Sequence, residues 1–279
     1  MPSEGVYLMF VFSAALDLMS RWVGPVWQHR LYLFREKRYG KGEVEWHLLP
    51  LLVDRGRLAL DVGGNHGVYA GALVPLVREV HAFEPFLQLA EALRRKLPPG
   101  VTVHPFALSD REGTLTLTIP RRSGALLDGL ATLEGAESLA RAGEHDTIAV
   151  PVETRRLDQL GLRDVGFIKI DVEGHEIEVL LGSAELFARD RPVLLVESQT
   201  LTRREAPYNV FTFLGALGYH GVFVAGSEIH EVEAFDRVTA QKGQVYVNNF
   251  IFFPAPLSEE VLARMRASVA DLRRRRGVL

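Results

Sequence analysis

The chain reads as an α/β protein on a doubly wound, mostly parallel sheet, and three observations carry that expectation. Short apolar runs alternate with helical segments: Leu58–Val62, Glu79–Phe83, Val101–Phe106, Val165–Ile170 and Pro192–Val196. Such alternation is the pattern of βα units with helices on both faces of a sheet. The first run ends in an acid and enters a small-residue turn, Asp61-Val62-Gly63-Gly64-Asn65-His66-Gly67, before helical periodicity resumes. Other acids stand at or just beyond further strand ends: Glu84, Asp171 and Glu197. Ligands of open α/β sheets sit outside the carboxyl ends of the strands, where the winding reverses.

Composition narrows the class. The chain has 279 residues, 47% hydrophobic and 24% charged, values of an ordered globular protein long enough for a sizeable core. A formal charge of −3 gives no reason to expect nucleic acid as a partner. With no cysteine, disulfides, thiolate catalysis and thiolate metal sites are excluded. The apolar stretch Val6–Met19 is too short for a spanning helix and contains Asp17. It lacks a basic region before it and a clear cleavage site after it, so the expected location is cytoplasmic. Packing of this stretch on the domain is the expected arrangement, with a membrane or dimer contact as the alternative.

In chain order, residues 1–50 form a helical, aromatic-rich cap segment with a basic cluster, Arg35 to Lys41. That cluster is a solvated face or a contact for an acidic acceptor. The first core helix is expected at His47–Val53. Leu58–Val62 is the first strand, with its helix from His66 to Val77. Glu79–Phe83 is the second, with a helix from Phe86 to Leu97 that stops before Pro98-Pro99-Gly100. Val101–Phe106 is the third. Thr114–Ile119 alternates strictly and is expected to pair with Ala149–Arg155. Residues 121–146 between them form an insertion without regular patterning, placed as a lid over the acceptor site. Val165–Ile170 is the fourth core strand, followed by a helix to Leu186, and Pro192–Val196 is the fifth. A helix at Pro207–Leu217, strands at Tyr219–Val224 and Val245–Phe253, and a terminal amphipathic helix at Leu257–Arg276 complete the chain. The organisation expected is a core domain over 51–254 and a C-terminal helix over 255–279.

The turn after the first strand decides between ligands. A dinucleotide site calls for G-x-G-x-x-G with a pyrophosphate on the helix N-terminus. The pattern here is Asp61-x-Gly63-x-Asn65-x-Gly67, and an acid two residues before the first glycine suits a cationic ligand end. Asp61 to Gly67 resembles the first motif of class I S-adenosylmethionine (SAM) methyltransferases, in the form of the FkbM-type family. His81-Ala82-Phe83-Glu84-Pro85 and Phe167-Ile168-Lys169-Ile170-Asp171-Val172-Glu173-Gly174-His175-Glu176 share that likeness, in the same order. The resemblance implies a Rossmann-like seven-stranded sheet whose last strand runs antiparallel between the fifth and sixth. It also implies SAM as cofactor and O-methylation of a small-molecule, sugar, glycan or natural-product hydroxyl.

On that likeness, Asp61 and Asn65 would hold the methionine end of SAM, with the Gly63, Gly64 and Gly67 turn against the ligand and Asp171 among the cofactor-binding residues. Asp61 also suits a turn-forming role. Glu84, about 20 residues on, can accept two hydrogen bonds from a ribose diol; its alternative is a helix N-terminal acid. Ala107, Leu108 and Ser109 would wall the adenine. Asp110 accepts from the adenine amino group or closes an Asx turn. An alcohol acceptor must lose a proton, and His175 is the first candidate base, with Asp171 second and a helix-cap role as the plain alternative for the histidine. No metal is expected; were one present, Asp171 and Glu197 would hold it as hard oxygen ligands. A dehydrogenase on a similar sheet and a non-catalytic methyltransferase-like binding module are the rival readings.

Overall fold

A computed structural model describes residues 43–141, 143, 146–241 and 247–276. The Val6–Met19 stretch and the basic cluster lie outside the described residues. The described chain opens with helix α1 (Val44–Leu52), which starts three residues earlier than the periodicity predicts because Glu45 and Trp46 are already buried. Strand β1 (Leu58–Val62), helix α2 (Val68–Leu73), β2 (Glu79–Phe83), α3 (Leu87–Lys96) and β3 (Val101–His104) follow. Then come β4 (Ala107–Leu108), β5 (Gly113–Arg122), β6 (Ala125–Leu126), α4 (Ala136–Arg141) and β7 (Thr147–Arg155). The second half contains β8 (Val165–Ile170), α5 (Glu176–Leu181), α6 (Ala184–Asp190), β9 (Val193–Glu197), α7 (Tyr208–Ala216) and β10 (His220–Ala225). It ends with β11 (Glu228–Glu231), α8 (Phe235–Gln241), β12 (Asn249–Phe253) and α9 (Glu259–Arg276).

The main sheet has the order β3-β2-β1-β8-β9-β12-β10-β11. Strands β3, β2, β1, β8 and β9 are parallel, and β12 runs antiparallel between β9 and β10. The sheet therefore has eight strands where seven were expected. The extra one, β11, folds back on β10 through Gly226-Ser227, with Ala225 opposite Glu228. Gly226 has φ +68°, the left-handed backbone that a two-residue hairpin turn uses.

Period-two alternation assigns the two faces. Leu58, Leu60 and Val62 of β1 pack with Ile168 and Ile170 of β8 against α5, α6 and α7. Ala59 and Phe167 face the other way, where α1, α2, α3 and α9 cover them. The terminal helix docks through Met265, Val269 and Leu272, spaced i, i+4, i+7 and all buried. The winding reverses between β1 and β8, so their carboxyl ends open into a crevice.

Two departures from the expected elements bear on that crevice. The helix expected to run to Leu186 is broken into α5 and α6 at Gly182. A Cβ on Gly182 would lie 2.0 Å from the Ser109 carbonyl oxygen, so the chain passes the loop after β4 there only as bare backbone. The described part of the 121–146 insertion also has more regular structure than its composition suggests. It carries β6, a 3-10 turn at Asp128–Leu130 and α4, and Thr132 exchanges two backbone hydrogen bonds with Thr118 of β5. As expected, β5 pairs antiparallel with β7, from Gly113 opposite Thr154 to Pro120 opposite Thr147.

Candidate active site

The turn after β1 is built to satisfy itself. Gly63 and Gly64 donate their N–H groups to the Phe83 carbonyl at 3.0 and 2.9 Å, and Gly67 donates to Gly64 at 2.7 Å. Gly63 has φ +83°, and a Cβ there would lie 1.8 Å from the Asp171 carbonyl oxygen. That glycine is required because β8 closes onto the turn. Gly64 packs on Ala82 and Leu93, and Gly67 starts α2 at φ +78° against Leu93 and Leu97. Neither of these two lines the cavity described next.

The cavity lies over the tips of β1, β2 and β8 and holds about 620 Å³ of space out to its mouth. It is lined by Val62, Gly63, Asn65, Phe83, Glu84, Pro85, Ala107, Leu108, Asp171, Val172, Glu173 and His175. Leu117 of β5 and Asp128, Gly129, Ala131 and Leu133 of the insertion complete the wall. The structure thus brings together Gly63, Asn65, Glu84, Ala107, Leu108, Asp171 and His175 from the residues singled out in sequence. The insertion residues were not singled out individually in the sequence, where the segment was placed as a whole over the acceptor site. It spans the mouth from one side to the other: His66 Nε2 stands 3.4 Å from Asp128, and the Thr132 hydroxyl donates to the Glu173 carbonyl at 2.6 Å.

Glu84 is 6% exposed and accepts from the Asn65 N–H and the Phe86 N–H, both at 2.9 Å. Burial raises its pKa to about 7 against those two hydrogen bonds. A carboxylate has about four acceptor positions, so two remain for a ligand. The Asn65 side-chain oxygen is buried without a hydrogen-bond partner. Asn65 itself has φ +42°, a left-handed position that asparagine tolerates.

Asp61, expected at the methionine end of the ligand, stands away from the cavity. Its side chain points to the sheet face opposite Val62, beneath α2, where it accepts the Ala70 N–H at 2.8 Å. Burial raises its pKa to about 7, opposed by the Ala70 N–H and by Lys169. The acid that seemed suited to a cationic ligand tethers the start of the helix.

His175 lines the cavity but is held at both ring nitrogens. Nδ1 lies 2.9 Å from Glu134 Oε1 in the insertion, and Nε2 lies 2.9 Å from Ser109 Oγ. Ser109 is fully buried behind it, and Asp110 sits beside Ser109 at 3.2 Å. Neither Ser109 nor Asp110 reaches the cavity wall. The histidine ties the insertion to α5 and to the end of β4. Glu134, His175 and Glu178 bring three metal-type ligand atoms within 4.8 Å of one another. Arg203, however, contacts both Glu178 oxygens at 2.8 Å and supplies the positive charge there.

On the far side of Asp171 stands a residue that sequence reasoning passed over. Lys169 is fully buried, with Nζ 3.6 Å from Asp171 Oδ2, 3.7 Å from Glu197 Oε2 and 3.3 Å from Asn249 Oδ1. Burial opposes its charge, but Asp171 and Glu197 outweigh it and push the pKa up. Asn248 donates to Glu197 Oε1. Burial raises Glu197, as does Asp171, with Lys169 opposing. Burial lifts Glu173, on the other side of Asp171, to about 8. A lysine inside an otherwise apolar strand ending in an acid was the available signal.

Residues 61–221, more than half of the chain, match the Methyltransferase FkbM domain. No curated protein matches the chain in sequence. Among solved structures it is similar to the methyltransferase FkbM of Methylobacillus flagellatus KT, at 15% identity and a TM-score of 0.45. That match covers 71% of this chain but 44% of the other, so the chain spans under half of that protein's length. It is also similar to the precorrin-6y C5,15-methyltransferase of Geobacter metallireducens GS-15, at 15% identity, 75% and 86% coverage and a TM-score of 0.40. A SAM-dependent methyltransferase of Aquifex aeolicus matches at 16% identity, 77% and 91% coverage and a TM-score of 0.38. With the domain match running from the acid before the glycine turn through both later motifs, the chain belongs to the FkbM family of SAM-dependent methyltransferases.

Proposed function

We propose that this protein methylates a hydroxyl oxygen on a sugar, glycan or natural-product acceptor. The observation that carries the reading is the convergence of Glu84, the Ala107-Leu108 wall and Asp171 on one cavity at the switch point. The residues present fit SAM. The free acceptor positions on Glu84 suit a ribose diol, the apolar wall suits an adenine, and the unpartnered Asn65 oxygen suits a donor at the methionine end. Bound there, SAM supplies a methyl group already activated on a sulfonium.

The chain's own part is to hold and orient. Glu84 and Asn65 grip the donor; Gly63 lets β8 close on the turn; the insertion spans the mouth and limits water. Asp171 borders both this cavity and the Lys169 cluster, with its side chain 31% exposed. That position favours Asp171 over His175 for receiving the acceptor proton, since both ring nitrogens of His175 are engaged. Asp61, Gly64, Gly67, Ser109 and Asp110 support the walls from behind. The SAM-binding domain is assigned to 51–254, followed by the C-terminal segment that carries α9, and a cytoplasmic location is part of the same proposal. Among the described residues no helix is long and apolar enough to cross a membrane.

Calorimetric titration with SAM and S-adenosylhomocysteine tests the cofactor, and methyl transfer from labelled SAM to hydroxylated acceptors tests the reaction. Saturable heat and label recovered as a methyl ether are expected. Folded protein that takes up neither nucleoside ends the reading; label recovered on nitrogen or carbon ends the O-methylation part.

A further inference from the structure

The two acids that would hold a metal, Asp171 and Glu197, end adjacent parallel strands. Between them stands the Lys169 ammonium, 1% exposed, within 3.7 Å of a carboxylate oxygen of each and 3.3 Å from Asn249 Oδ1. Its three donors thus face three acceptors. The Tyr69 ring covers the group from α2, its centroid 5.2 Å from Nζ, and the Tyr69 hydroxyl is tied to Glu43 at 2.5 Å. A divalent cation would need these oxygens drawn in to about 2.0–2.6 Å around the point that Nζ already occupies. The donor set does not fit a metal while the lysine is there.

We propose that Lys169 is a positioning residue, the built-in counter-ion that holds Asp171 and Glu197 together at the strand tips in the place of a divalent cation. This rests on the methyltransferase reading for its consequence, because Asp171 borders the donor cavity. Without the ammonium the two acids repel and Asp171 loses the partner that fixes its carboxylate. An arginine keeps the charge; a methionine keeps the bulk and removes it.

The experiment is calorimetry of SAM binding to the full chain in EDTA and again with Mn²⁺, for wild type, Lys169→Met and Lys169→Arg. Mn²⁺ uptake is followed in parallel by electron paramagnetic resonance without nucleoside. Wild type is expected to bind SAM equally with or without metal. Lys169→Met should bind at least about tenfold more weakly, and Lys169→Arg within about threefold of wild type. Folded Lys169→Met that binds SAM like wild type in EDTA overturns the proposal. So does Mn²⁺ uptake by wild type that disappears in Glu197→Gln, an arm that decides even if Lys169→Met fails to fold. Wild type that binds no SAM ends the methyltransferase reading, and the Mn²⁺ arm still judges Lys169 by itself.

Discussion

The Asn65 backbone N–H donates to Glu84 Oε2 at 2.9 Å, joining the turn after β1 to the tip of β2. One carboxylate therefore both closes the turn and faces the cavity. Its second oxygen holds Phe86 at the approach to α3.

That double duty predicts two losses from Glu84→Ala. Two backbone N–H groups lose their partner, which costs about 1–3 kcal/mol each where they stay buried. SAM affinity should fall by a further ~1–3 kcal/mol through the missing diol acceptor. Glu84→Gln, which keeps one acceptor oxygen, should lie between. Calorimetry and a melting curve on the same samples separate the two effects; unchanged SAM affinity in a folded Glu84→Ala removes the ribose assignment.

The tie between His175 and Glu134 predicts a mobility effect. His175→Ala should speed amide hydrogen exchange across 128–141, since Glu134 of that segment loses the ring nitrogen that ties it to the start of α5. At saturating SAM its turnover should drop much less than that of Asp171→Asn. The reverse order would restore His175 as the base.

Gly63 and Gly124 form an internal comparison. Both have φ +83°, but a Cβ on Gly63 would strike the Asp171 carbonyl while one on Gly124 meets nothing within 4 Å. Gly124→Ala should cost about 1–2 kcal/mol, the left-handed backbone penalty alone. Gly63→Ala should cost at least about 2 kcal/mol more or prevent folding, by urea denaturation. Equal costs would mean that β8 can withdraw from the turn.

Buried acids make the ligand-free protein weaken as pH rises. Burial lifts Asp61 and Glu84 to about 7 and Glu176 to about 8, against about 4 in the unfolded chain. The folded state then holds more protons than the unfolded state across that interval. Stability from this source is full below about pH 4 and is lost as pH climbs through 7 and 8. Histidine works in the opposite sense: burial, with His81 adding to it, lowers His104 to about 4. Its destabilisation sets in as pH falls below about 6.5. From about pH 6.5 to 8 only the acids act, so the urea midpoint should decline through that window. A flat or rising midpoint there contradicts the buried, protonated carboxylates.

The sequence by itself determined the alternation of strands and helices, the glycine turn after Leu58–Val62 and the acids at the strand ends, because these depend on local periodicity and backbone freedom. Glu84, Ala107-Leu108 and Asp171 were legible as a set for the same reason, as each follows a readable strand. Only the tertiary structure decided which way those groups point. Asp61 turns beneath α2 because side chains alternate along a strand. His175 is clasped by Glu134 from an insertion 41 residues away, and Gly182 breaks a helix to admit the loop carrying Ser109. Lys169 acquires its meaning only where β8 lies beside β9, with β12 on the far side of β9, since a buried charge is defined by partners that folding brings to it.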